Sequence, residues 1–237
     1  LCVNPTGTGG CFSSIQAAVA ASSSGDTINI AAGTYSSVSV SAKNLSFVGA
    51  GRDQTFIDGG GTSRAVATAS NAKIGLSNLT VQNGYSAAGY GAGIYAVSAL
   101  TLTNVSVLSN TAVASYYGGG VFAGGTLLIN NARFISNTAS VGGGVYAFST
   151  AYVTNSRFEH HTAVGGDANG GGLFVLGGTL TVTGTDFISN TAKGGAGAVS
   201  NVSVVMTDVT FEDNYAEQFA GLGAVGTGAV LSNTDFF

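Results

Sequence analysis

The chain has 237 residues, 45% of them apolar and 8% charged, with 38 glycines, one proline and two cysteines. So apolar a composition excludes intrinsic disorder, and no apolar run is long enough to cross a bilayer as a helix. Membrane insertion is therefore not expected, and eleven acids against seven bases, a net charge of −4 with no basic stripe, argue against nucleic acid as a partner.

Cys2 and Cys11 enclose the short loop VNPTGTGG. A disulfide closing that loop is the natural reading and implies an oxidising, extracytoplasmic setting; two buried thiols are the alternative. Two cysteines and two histidines are too few for a Cys/His zinc site without carboxylate help, so no metal or cofactor is expected. Next comes CFSSIQAAVAASSSG, in which Ile15, Ala18 and Val19 share one helical face after the N-cap candidates Ser13 and Ser14. The spacing predicts a short helix ending at Gly25. Residues 1–24 then form a cap over the first turn of whatever follows, and residues 25–237 form the main body.

That body is repetitive. The last glycines of successive Gly clusters are Gly93, Gly120, Gly144, Gly172, Gly197 and Gly223, spaced by 27, 24, 28, 25 and 26 residues. A second column reads Asn83, Asn110, Asn137, His161, Asn190 and Asn214. A period of about 26 residues belongs to solenoids. Within one period, GTLLINNARFISN alternates apolar and polar residues, breaks at Asn130-Asn131, and alternates again through Ala132 and Phe134. Alternation at period two marks strands, and the interruption marks a corner. Asn131, Asn155, Gly184, Asp208 and Asn233, each three residues before a Phe, are types that tolerate the left-handed conformation such a corner needs. No helical periodicity follows residue 24. Coiling one chain about an axis gives parallel neighbours without helical crossovers, so the predicted fold is all-β: a right-handed parallel β-helix of about eight rungs with an N-terminal capping helix. Phe134 and Phe158 should stack inside, and the Asn column should form a corner ladder.

These motifs carry a resemblance. IQAAVAA…GDTINIAAGTY (15–35) and GAGRDQTFIDGGG (49–61) resemble the opening coils of the pectin-lyase-like β-helix superfamily. From residue 79 onward, FISN (134–137), FISN (187–190) and FEDN (211–214), with GGGV (118–121), GGGV (142–145) and GGGL (170–173), resemble the repeats of the polymorphic outer membrane proteins. VLSN (107–110) lacks the Phe and FEHH (158–161) lacks the Asn. The resemblance implies a β-helix and surface display, and implies no particular reaction.

No catalytic constellation emerges from spacing. Arg157 and Asp186 fall on adjacent rungs of one outward column and read as an exposed ion pair. Asp58, among glycines, reads as a turn residue. Asp208, Glu212, Asp213 and Glu217 crowd one rung near the end, and a solvated acidic edge is favoured there over a calcium site. The loops of variable length between the Asn column and the Gly clusters carry Tyr85, Tyr90, Tyr116, Tyr117, Tyr215 and Phe219. These form the candidate ligand or partner surface, for glycans or other cell-surface proteins, with local packing as the alternative. The expectation is a non-enzymatic, secreted or cell-surface structural or adhesive module. The SNTDFF end is expected to be covered by following chain or by axial self-association into fibres. The alternative is a polysaccharide-binding or polysaccharide-degrading β-helix protein.

Overall fold

The computed structural model describes residues 1–113, 115–165, 169–224 and 228–237. It is a parallel β-solenoid whose strands form three long sheets, of fourteen strands (sheet A), eight (sheet B) and six (sheet C). One turn shows how the sequence makes it. Leu127–Asn130 runs along the first arm of sheet A, and Asn131 bends the chain at φ +51. Arg133–Ile135 forms the second arm, and Ser136 bends again at φ +54. Thr138–Ala139 then adds to sheet C, and Val145–Ala147 to sheet B. The left-handed corners fall at Asn131, Asn155, Gly184, Asp208 and Asn233, as the sequence predicts. There a short polar side chain or none lowers the cost of positive φ.

Alternation decides what lies inside. Leu127, Ile129, Ala132, Phe134, Val145 and Ala147 of this turn are buried, and register places their equivalents in the same columns of the next turns. Phe134, Phe158, Phe187, Phe211 and Phe236 stack with centroids 4.6, 4.9, 5.0 and 4.9 Å apart, close to the strand spacing itself. A Cβ on Gly120 would meet the Gly144 carbonyl oxygen at 2.5 Å and Asn137 Cγ at 3.1 Å, so this column admits only glycine. Register ends the column at Gly221, because Leu222 follows it opposite Ala198. Gly223 pairs with Val199 and lies outside it.

The Asn column is an internal ladder. Asn110 donates from Nδ2 to Asn137 Oδ1 at 2.8 Å, and the backbone N–H of Asn137 donates to His161 Nδ1 at 3.0 Å. The His161 N–H donates to Asn190 Oδ1 at 3.1 Å, and Asn190 Nδ2 to Asn214 Oδ1 at 2.9 Å. Asn83 is not a member. Thr111 pairs with Tyr85, so Gly84 occupies the ladder position and donates its N–H to Asn110 Oδ1 at 2.7 Å. Asn83 stands one residue early, exposed at φ +51.

At the N-terminus, Cys2 and Cys11 are disulfide-bonded, and Cys2–Val3 adds a strand to sheet A beside Thr27–Ile30. Helix α1, Ile15–Ala21, is capped by Ser14 and buries Ile15, Ala18 and Val19. It ends four residues before Gly25. Ser22 folds its hydroxyl back to the Val19 carbonyl at 2.8 Å, and Lys43 Nζ takes the Val19 and Ala20 carbonyls at 2.7 and 3.2 Å. A serine run that bonds to its own backbone stops a helix sooner than the glycine does. Gln16 ties α1 to the nearby strand Val38–Ser41 by exchanging two hydrogen bonds with the Ser39 backbone, at 2.8 and 3.2 Å.

Candidate functional site

The same alternation that buries Ile94 and Ala96 turns Tyr95 outward, and each strand of sheet B repeats this. Register builds one outer column of Ser39, Ala67, Tyr95, Phe122, Tyr146, Phe174 and Val199. Its rings stack, with Tyr95–Phe122 at 5.5 Å, Phe122–Tyr146 at 5.6 Å and Tyr146–Phe174 at 5.1 Å. A second layer comes from the loops that enter sheet B. Tyr90 lies on Phe122 at 5.0 Å and on Tyr117 at 5.1 Å, Tyr117 lies on Tyr146 at 4.9 Å, and Tyr116 meets Tyr90 edge-on at 5.9 Å. These loops bury outward-facing residues, leaving Tyr146 5% and Phe174 7% exposed. Burial, aided by Tyr117 and Tyr90, pushes the Tyr146 hydroxyl up to a pKa of about 12.

Toward the N-terminal turns the aromatic layer stops and the same face opens into a groove of about 360 Å³. Its lining carries the hydroxyl-bearing side chains of Ser37, Ser39, Thr62, Ser63 and Tyr85, together with Arg64. Arg64 joins groove to rings. Its Nε donates to the Tyr90 carbonyl at 2.8 Å, and its guanidinium lies 4.9 Å above the Tyr95 ring. Gly89, at φ +144, makes room for it, since a Cβ there would strike Arg64 Nη2.

Four of the six aromatics singled out from sequence meet here. Tyr85 lines the groove, Tyr90 is 37% exposed at its border, and Tyr116 and Tyr117 are half-buried in the ring layer. Tyr215 and Phe219, 70% and 51% exposed, sit turns away and join no ring stack among the described residues. Sequence reasoning missed Arg64, Tyr95, Phe122, Tyr146 and Phe174. The signal was there: an aromatic at the middle of successive Gly-led strands, flanked by small or aliphatic residues.

The groups weighed for chemistry are arranged differently from expectation. Arg157 pairs with Glu159, two residues along its own strand, at 2.5 Å; Asp186 lies across from Arg157 but does not bond to it. Side chains at i and i+2 share a face, and the longer glutamate reaches where the aspartate does not. Asp58 accepts from the Gly60 N–H at 2.7 Å, Gln82 Nε2 at 2.7 Å and Asn83 Nδ2 at 2.9 Å. Burial raises its pKa, but the three donors outweigh it and hold the carboxyl below the usual range. The Asp208 carboxylate accepts from Asn233 Nδ2 at 2.6 Å. Among the described residues, no three His, Cys, Asp or Glu side chains gather closely enough to hold a metal ion.

No family pattern matches the chain, so the likeness to polymorphic outer membrane proteins is not supported, and no curated protein matches it either. Solved structures do match. Escherichia coli ybhc has a TM-score of 0.51 at 14% identity, covering 100% of this chain and 84% of that one. Pectin methylesterase PemA from Erwinia chrysanthemi has a TM-score of 0.43 at 12% identity, covering 89% of this chain and 65% of that one. Pectin methylesterase from carrot has a TM-score of 0.43 at 14% identity, covering 98% of this chain and 83% of that one. This chain thus spans about two thirds of the length of PemA. With pectin methylesterases as its neighbours, the expectation of a non-enzymatic structural or adhesive module is overturned, as is the expectation that the chain is not an enzyme. At these identities the likeness concerns the fold alone: a right-handed parallel β-helix.

Proposed function

We propose that this chain is a polysaccharide-active β-helix protein that seats a polymer along the outer face of sheet B. The observation that carries the reading is the junction at Arg64, where a hydroxyl-lined groove runs into a stacked aromatic platform. Sugar rings present apolar C–H faces to aromatic rings and hydroxyls to polar side chains, and a guanidinium offers planar donors to a carboxylate or hydroxyl pair. Turns stacked at the strand spacing repeat these contacts along the axis, which suits an extended polymer. The disulfide between Cys2 and Cys11 supports an extracytoplasmic setting.

Affinity electrophoresis in gels containing pectin, polygalacturonate or dextran tests this. The wild-type chain should be retarded by at least one polymer; Arg64→Gln should weaken retention about tenfold with melting temperature nearly unchanged, and Tyr90→Ala should weaken it as much with a lower melting temperature, because its stacks on Phe122 and Tyr117 are lost. Released methanol and new reducing ends in the same mixtures read processing of the bound chain, and loss of that signal in the same variants ties it to the groove. Wild-type mobility unaffected by all three polymers overturns the reading.

A further inference from the structure

A second charged surface lies on the outer face of the second arm of sheet A. Its outward column runs Thr80, Ser106, Arg133, Arg157, Asp186 in register. Arg133 and Arg157 are direct cross-strand partners, so two guanidinium groups rise from neighbouring rungs about 4.8 Å apart. Like charges placed opposite one another destabilise a sheet. Only one of the two is compensated: Arg157 holds Glu159 at 2.5 Å, whereas Arg133 is exposed and makes no ion pair among the described residues. A third guanidinium approaches from the loop before Thr55, where Arg52 bonds through Nη2 to Asn104 Oδ1 on the corner. Its backbone carbonyl accepts from the Thr80 hydroxyl, leaving outward-facing Thr80 and Ser106 buried. Burial and then the charge of Arg133 lower the pKa of Arg52, while neighbouring Asp53 acts the other way. Three of the chain's four arginines therefore gather on one face of a molecule whose net charge is −4.

Stability gives no reason for this arrangement, and an anionic ligand does. We propose that Arg133 and Arg157, flanked by Arg52, form a binding site for a tetrahedral oxyanion of the sulfate or phosphate class. Such a group has oxygens enough to bridge two guanidinium forks on adjacent rungs, whereas a carboxylate has two oxygens and suits one fork, as Glu159 shows on Arg157. The oxyanion arrives either free or as an ester on a polymer. The site lies on a different sheet from the groove of sheet B and stands whether or not that groove binds polysaccharide.

The test uses the intact chain with inorganic sulfate, inorganic phosphate, dextran sulfate and neutral dextran as probes. Thermal melting and calorimetric titration are run on the wild type, Arg133→Gln, the Arg133→Gln/Arg157→Gln double variant, Glu159→Gln and a distant control, Lys73→Gln. Without ligand the double variant should melt close to the wild type, because the repulsion removed offsets the lost Arg157–Glu159 ion pair. With ligand the wild type should gain stability and the double variant should not, its affinity falling about tenfold or more. Glu159→Gln, which frees Arg157, should bind more tightly, and Lys73→Gln should match the wild type. Binding of free sulfate or phosphate identifies the small anion as the source; binding of dextran sulfate alone identifies an ester on a polymer. If neither binds, or if the double variant binds as well as the wild type, the proposal fails.

Discussion

His161 shows most clearly how one residue is fitted to its place. It replaces an Asn in the ladder and does half of what Asn does. Nδ1 accepts the Asn137 N–H at 3.0 Å, while buried Nε2 has no hydrogen-bond partner among the described residues. The ladder amides complete the second bond, as Asn137 Nδ2 does to the Val107 carbonyl at 2.9 Å and Asn190 Nδ2 to the Phe158 carbonyl at 3.0 Å. Desolvation dominates and lowers the His161 pKa from 6.5 to about 3. Between those values the unfolded chain binds a proton that the folded chain refuses. Stability is therefore complete above pH 6.5 and declines with acid, at about 1.4 kcal/mol per pH unit at most from this group. His161→Asn should remove that slope and raise the melting temperature, most of all near pH 4. Equal acid sensitivity in both proteins would refute the assignment. Phe158 and Glu159 form a second contrast, one side chain inside the stack and the other outside. Phe158→Ala should cost about 3–5 kcal/mol through the cavity it leaves. Glu159→Ala should cost under about 1 kcal/mol in denaturant titrations, because it loses only a partly exposed ion pair.

At the scale of the element, what the sequence reveals depends on whether a residue's role is repeated. The strands and inner columns were legible because each turn writes Leu-x-Ile or its equivalent, then a corner residue, then Phe, and burial follows that alternation directly. The ladder was legible too, apart from Asn83, where matching by residue type chose the wrong neighbour: hydrogen-bond register puts Gly84 in line with Asn110. The groove was harder to see. Arg64 comes from one turn, Tyr95 and Tyr90 from the next and Phe122 from the one after, and only stacking brings them together. Loop length, not alternation, sets where Tyr90 and Tyr117 lie. Their rings, expected as a display surface, partly serve as a lid, Tyr90 over Phe122 and Tyr117 over Tyr146. Tyr117→Ala should therefore lose stability, by about 1–3 kcal/mol, and expose Tyr146, whose phenol should then titrate nearer 10 in ultraviolet pH titrations. An unshifted Tyr146 titration would show that the lid does not bury it.

For the whole molecule, a solenoid is held together mostly by contacts between adjacent turns, so a perturbation at one end should fade along the axis. The disulfide offers a clean perturbation. It closes a loop of nine residues' separation and holds Cys2–Val3 against Thr27–Ile30, next to α1. Loops this short are worth up to about 3 kcal/mol through the entropy they remove from the unfolded chain. That constraint bears on the first turns only. The Phe134-to-Phe236 stack begins well beyond them, in residues that neither touch the loop nor share its strands. Reduction, or a Cys2→Ser/Cys11→Ser variant, should therefore speed amide hydrogen exchange in Val3, Asn29 and Ala31. The first two lie in the paired strands, and Ala31 N–H donates to the Val3 carbonyl. Exchange at Phe158 and Phe187 should stay within about twofold of the oxidised protein, since local openings near the N-terminus need not unfold distant turns. A uniform acceleration along the whole chain would mean that the turns unfold as one cooperative block, and nearest-neighbour stacking would then be the wrong description of this solenoid.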